Sequence, residues 1–159
     1  MRHSVLFARH AVAALWIITA GCLRGTEPGS PSNPATETYA SSLGVNISQM
    51  TKISDDLYIQ DVVVGTGAEA VAGKNLTVNY AGFLVDGTQF GSNNGQAPLP
   101  FQLGTNDVIQ GWDLGVPGMK VGGRRLLVIG STLGYGSSGS GPIPANATLV
   151  FTVQLLTVQ

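Results

Sequence analysis

The sequence predicts an α+β domain over residues 51–159, a curved antiparallel β-sheet wrapped around one short α-helix. Three observations carry this expectation: short β-branched and aromatic runs separated by turn signals, one brief stretch of helical periodicity, and a last run that alternates cleanly.

Leu57 to Val64 (LYIQDVVV) reads as a strand that stops at Gly65-Thr66-Gly67. Lys74 to Leu84 alternates in part, with Leu76, Val78 and Tyr80 on one face and Thr77, Asn79 and Ala81 on the other. Asp86-Gly87 is a hairpin signal ahead of Thr88, Gln89 and Phe90. A loop from Gly91 to Pro98 leads into a short strand, Leu99 to Leu103. Asn106-Asp107 marks the cap region of a helix whose apolar face is Val108, Ile109, Trp112 and Val116, and Pro117-Gly118 ends it. Gly123 to Ile129 is the next strand. The stretch from Gly130 to Ala147, dense in Gly, Ser and Pro, is a loop. In the last strand, Thr148 to Val158, the residues Leu149, Phe151, Val153 and Leu155 share the buried face.

The first fifty residues have a different character. Arg2 and Arg9 precede an apolar stretch, Ala11 to Ala20, which is too short to span a bilayer comfortably and has the order of a secretory signal. Thr19-Ala20-Gly21-Cys22 resembles a bacterial lipobox, so residues 1–22 are expected to be a lipoprotein-type signal peptide with Cys22 as the lipidated residue. A lipidated cysteine also leaves no free thiol in an oxidising compartment. Residues 23–50 are rich in Ser, Thr, Pro, Gly and Asn and are expected to form a flexible tether, with only Leu43, Val45, Ile47 and Met50 able to dock. An exported protein that touches the membrane only through its N-terminal lipid follows from this pattern.

Composition excludes several functions. Net charge is -1, charged residues are only 11% of the chain, and only Arg124 and Arg125 stand together, which is too little for a nucleic-acid surface. The single cysteine is Cys22, and both histidines, His3 and His10, lie in the leader. The domain therefore has no imidazole and no thiol for a His-dependent triad, a Cys nucleophile or a Cys/His zinc site. Asp86, Asp107 and Asp113 are accounted for by a turn and a helix start, so they do not argue for a hydrolase.

Three blocks in order carry a family resemblance. Val78-Asn79-Tyr80-Ala81-Gly82-Phe83-Leu84-Val85-Asp86-Gly87-Thr88-Gln89-Phe90 resembles the first signature of the FKBP-type peptidyl-prolyl cis-trans isomerases. Val108-Ile109-Gln110-Gly111-Trp112, followed by Gly115 to Gly122, is similar to the second. Leu133-Gly134-Tyr135-Gly136, continuing to Ile143 through Phe151, is similar to the third. The resemblance implies that Tyr80, Phe90, Ile109, Trp112, Tyr135 and Phe151 are the catalytic pocket, with Val108, Leu99 and Ile143 binding substrate. It places Trp112 at the floor, the Ile109 N–H on a substrate carbonyl and the Tyr135 hydroxyl on another. The chain departs from the family pattern at Gly91, where an aspartate is common, at Leu99, where an aromatic is common, and at Ser138-Gly139-Ser140, where many members have a histidine.

The implied activity is acceleration of proline-limited folding, with proline-containing unfolded or nascent exported polypeptides as partners. Macrolide inhibitors are possible ligands, no cofactor or metal has a role, and the absence of a helical arm before the domain implies a monomer. Two other readings remain open: a module that holds peptides in the same pocket with little turnover, favoured by Gly91, and a purely structural lipoprotein with no accessible cleft.

Overall fold

The last strand runs ten residues, Leu149–Val158, because its alternation gives one continuous apolar face, and the rest of the sheet is arranged around it. The computed structural model describes residues 30–159. Cys22, the leader and the first part of the expected tether lie outside the described residues.

Seven strands, β1 (Thr51–Ser54), β2 (Leu57–Val63), β3 (Asn75–Leu84), β4 (Gln89–Ser92), β5 (Leu99–Gln102), β6 (Arg124–Ile129) and β7 (Leu149–Val158), form one antiparallel sheet. Their order is β1-β2-β6-β7-β3-β4, and β5 also pairs with β3. β3 and β7 make the centre, paired from Leu76 opposite Val158 to Leu84 opposite Leu149 with a register shift between Thr77 and Val78. The β3–β4 hairpin turns at Gly87, which takes φ 90°, and the Asp86 carboxylate accepts the Thr88 N–H at 2.8 Å. This is the turn chemistry that Asp-Gly supplies.

One helix, α1 (Gln110–Gly115), lies on the inner face of the sheet. It sits unusually close to β6. A Cβ at Gly111 would stand 2.5 Å from Ile129 Cγ2, and one at Gly115 would stand 2.6 Å from Leu127 Cδ2. Both positions therefore need glycine for the helix to seat, although glycine lowers intrinsic helix stability. Trp112, Val116, Leu57, Leu127, Ile129, Phe151 and Val153 fill the core between them.

Four local expectations are corrected. Helix α1 begins at Gln110, so Val108 and Ile109 precede it, and Ile109 holds the cap position without a side-chain cap. The Asp107 carboxylate instead accepts the Gln102 N–H at 3.0 Å, while Asp113 accepts the N–H groups of Gly104 and Asn106 at 2.8 and 3.0 Å. Gly91 and Ser92 belong to β4, opposite Gly82 and Ala81, rather than to a loop. β1 carries no strand signal in the sequence, because its mostly exposed residues lack a core-facing pattern.

The fourth correction concerns the tether. Residues 30–50 do not hang free: they pass over the outer face of the sheet in three short 3-10 turns, Pro34–Thr36, Ser41–Leu43 and Ile47–Gln49. Tyr39, Leu43, Val45, Ile47 and Met50 pack there on Tyr58, Phe83, Leu126, Val128 and Val150. Polar composition suggests a flexible tether in which only Leu43, Val45, Ile47 and Met50 can dock; these four do so, Tyr39 joins them, and together they cover strand residues that would otherwise face water, so that their burial offsets the ordering cost. Among the described residues, no helix is long and apolar enough to cross a membrane.

Candidate active site

The inner face of the sheet and helix α1 leave a cleft of about 570 Å3 between them, within the range of pockets that hold small ligands. All nine domain residues expected at the site line it: Tyr80, Phe90, Leu99, Val108, Ile109, Trp112, Tyr135, Ile143 and Phe151. Gly91, Asp107, Ser140, Gly141 and Pro142 complete the lining. Strands contribute Tyr80, Phe90, Leu99 and Phe151. The segment leading into α1 contributes Val108 and Ile109, and the β6–β7 loop contributes Tyr135 and Ile143.

Trp112 is 3% exposed and meets three rings edge to face, with centroids 5.4 Å from Phe151, 5.5 Å from Tyr80 and 5.7 Å from Phe101. Phe90 meets Phe151 at 5.4 Å and 84°. This edge-to-face lattice fixes each ring against its neighbours, so the floor and wall are rigid apolar surfaces. The indole Nε1 is buried without a hydrogen-bond partner. Tyr135, by contrast, is 37% exposed at the rim. Burial pushes its phenol above the ordinary tyrosine value, and the neighbouring Tyr80 adds to the effect, so it stays a hydroxyl donor throughout the neutral range. The Ile109 N–H makes no hydrogen bond among the described residues and is free to bind a ligand carbonyl.

Three residues that shape the site were not singled out from the sequence. Asn93 is 7% exposed, and its side chain accepts the Tyr80 N–H at 2.7 Å and donates to the carbonyls of Val78 and Ala97 at 3.0 and 3.3 Å. It ties the β4–β5 loop to the strand carrying Tyr80. Its place in Asn93-Asn94-Gly95 looks like ordinary turn chemistry, and nothing local signals the long-range role. Gly82 lies behind the wall, where a Cβ would stand 2.6 Å from the Phe90 ring and 2.8 Å from that of Phe151. Phe101 buttresses Trp112 from below, and only its apolar character was legible.

Among the described residues, the cleft's lining holds no pair arranged as nucleophile and base, and Asp107 is its one carboxylate or cationic side chain. Such a site can hold an apolar ring, exclude water from it and present one N–H and one hydroxyl to the adjoining carbonyls.

Comparison with known proteins agrees with this geometry. The family model of the FKBP-type peptidyl-prolyl cis-trans isomerases matches residues 67–156. An FK506-binding protein of Neisseria meningitidis serogroup B is 51% identical over 104 residues, covering 64% of this chain and 95% of that protein. Among solved structures, AtFKBP13 superposes with a TM-score of 0.61 at 38% identity, over 65% of this chain and 93% of that one. FkpA from Escherichia coli superposes with a TM-score of 0.63 at 40% identity, over 69% of this chain but only 51% of its own. The chain belongs to the FKBP-type peptidyl-prolyl cis-trans isomerase family.

Proposed function

We propose that this protein accelerates cis/trans isomerisation of X–Pro bonds in exported polypeptides by enclosing the proline ring in the cleft over Trp112. The convergence of Tyr80, Phe90, Trp112, Tyr135 and Phe151 on one apolar cleft carries the reading.

Amide resonance holds the bond planar behind a barrier of roughly 18–20 kcal/mol. Resonance places negative charge on the carbonyl oxygen, and water stabilises that planar state. The twisted transition state has less charge separation. Surroundings of Phe90, Val108, Ile109, Trp112 and Phe151 therefore disfavour the planar form relative to the twisted one, and no covalent step is needed. Proline suits the cleft because its ring is apolar and its nitrogen carries no hydrogen that would be left unpaired. The Ile109 N–H and the Tyr135 hydroxyl hold the flanking carbonyls while the bond turns.

Residues 1–22 act as the export signal, and Cys22 carries the lipid. The Arg2/Arg9 flank, the short apolar stretch and the Ala20-Gly21-Cys22 ending support this assignment. Mass analysis of the exported protein should find acyl chains on Cys22; a mature N-terminus at another residue contradicts it.

Gly91 favours a second reading, a peptide-holding module with slow turnover. The wall beside Tyr80 has no carboxylate, and the Tyr80 hydroxyl makes no hydrogen bond among the described residues. A protease-coupled or refolding-limited assay separates the two. The isomerase reading expects clear acceleration that Phe90→Ala reduces by more than about tenfold, since the variant opens the wall to water. Peptide binding without acceleration would leave only the holding module.

A further inference from the structure

We propose that residues 30–50 are a built-in strap that positions the β6–β7 loop at the mouth of the cleft, with Ser32 as the positioning residue. The Ser131 N–H donates to Ser32 Oγ at 3.0 Å, and the Ser32 N–H donates back to Ser131 Oγ at 3.3 Å. Ser32 is 4% exposed and Ser131 1% exposed, so water does not replace either bond when its partner is lost.

Ser131 is the first residue of the turn that carries Tyr135. Its carbonyl accepts the N–H groups of Gly134 and Gly136 at 3.1 and 2.8 Å, and the Gly136 carbonyl accepts the Asn146 N–H at 2.9 Å across the neck of the loop. The strap therefore holds a residue whose carbonyl accepts two of the loop's internal bonds. It also reaches the loop's other root, where Thr148 Oγ1 donates to Glu37 at 3.5 Å, and the β3–β4 turn, where the Ala40 N–H donates to the Val85 carbonyl at 2.8 Å. Pro34 is buried beside Ser32, and the Tyr39 hydroxyl donates to the Pro34 carbonyl at 2.7 Å, which fixes the strap's own course. The Asp56 carboxylate also holds the Thr132 hydroxyl, and the Asp56 carbonyl accepts the Gly130 N–H at 2.7 Å, so the turn is held by both the strap and the β1–β2 corner.

The loop has few means of holding itself. It is rich in Gly and Ser, and apart from Ile143 and Ala147 its contacts with the core are made by Leu133. An external clamp at its root therefore decides how narrowly Tyr135 is placed, and a displacement of about 1 Å at such a group can cost on the order of a hundredfold in rate. The consequence for catalysis rests on the isomerase reading, whereas the ordering of the loop does not.

The test is amide hydrogen exchange and isomerisation kinetics on the full-length protein with Ser32→Ala and Ser32→Thr. Ser32→Ala should speed exchange at Gly134, Gly136 and Asn146 by roughly tenfold, the effect of losing one buried bond, whereas Leu155→Val, a core truncation remote from the loop, should leave those three amides unchanged. The catalytic efficiency kcat/KM, measured where both proteins remain folded, should fall several-fold, and Ser32→Thr, which keeps the hydroxyl, should restore both readouts. Loop amides that exchange as in the parent overturn the proposal, as does the same loop acceleration in Leu155→Val or a loosened loop with unaltered kcat/KM. If the parent shows no isomerase activity, the functional reading fails, and the exchange pattern still decides the strap.

Discussion

Arg125 and Asp61 face each other across β6 and β2 in a two-point ion pair, with Nε to Oδ1 at 2.7 Å and a terminal nitrogen to Oδ2 at 2.9 Å. The other terminal nitrogen donates to the carbonyls of Gly115 and Pro117 at 2.8 and 3.0 Å. One side chain thus closes the C-terminal end of α1 and ties it to the sheet, which fixes the helix that carries Trp112. The guanidinium is 6% exposed and the carboxylate 40%.

That asymmetry makes a prediction. Arg125→Ala strands two helix-end carbonyls and should cost about 2–4 kcal/mol, while Asp61→Asn keeps an acceptor beside the arginine and should cost about 1 kcal/mol. Urea denaturation of the two variants measures both values. Equal losses would show that the helix-end contacts contribute nothing.

The Phe90–Phe151 wall depends on the missing side chain at Gly82. Gly82→Ala would force both rings to move, because its Cβ would lie 2.6 and 2.8 Å from them. Isomerase activity should fall by about tenfold or more while the circular dichroism of the sheet is retained. Unchanged activity would show that the tilt of these rings is irrelevant to the site.

Gly91 can accept a carboxylate. A Cβ there would lie at ordinary contact, 3.8 Å, from Tyr80 Cε2 and Oη, and the backbone needs no positive φ. Gly91→Asp should fold normally and give the Tyr80 hydroxyl an acceptor. A rise of several-fold in kcat/KM is expected, the net worth of about one ordinary hydrogen bond. A lower value would mean that added charge harms the cleft more than an oriented Tyr80 helps it.

Alkaline pH should release the strap. Burial, with Glu37 and Tyr58 adding to it, raises the Tyr39 phenol well above its ordinary value of 10.0, and burial raises Tyr135 in the same direction. The folded state therefore holds these protons more tightly than the unfolded state. Their contribution is complete below about pH 10 and is lost as pH rises through the folded values. The denaturation midpoint should stay level from pH 7 to 9 and fall above about pH 10, with a shallower fall in Tyr39→Phe. The same slope in that variant would assign the loss to other groups.

Much of this site was legible because its residues sit in contiguous blocks with strong local patterns. The alternation of Leu149, Phe151, Val153 and Leu155 marked the central strand and its inner face, and the Asp86-Gly87 turn placed Tyr80 and Phe90 on paired strands. What escaped depends on contacts distant in sequence. Asn93 is an ordinary loop residue until it meets the backbone at Tyr80, and Gly82 resembles any strand glycine until two rings close over it. The strap escaped in part. Its composition is that of a linker; Leu43, Val45, Ile47 and Met50 are legible as residues able to dock, but only the outer face of β2, β3, β6 and β7 adds Tyr39 and shows what they cover.

An apolar cleft that turns the prolyl bond, as proposed, needs no titrating catalytic group. Magnetisation-exchange NMR on a Leu-Pro peptide, with catalytic amounts of the protein at several pH values, reads this out. Accelerated cis/trans exchange, level between about pH 6 and 9, is expected, because ordinary carboxylates are already ionised there and the Tyr135 phenol is held protonated. Exchange no faster than in the free peptide, or a rate that rises or falls tenfold across that range, would rule out such a cleft.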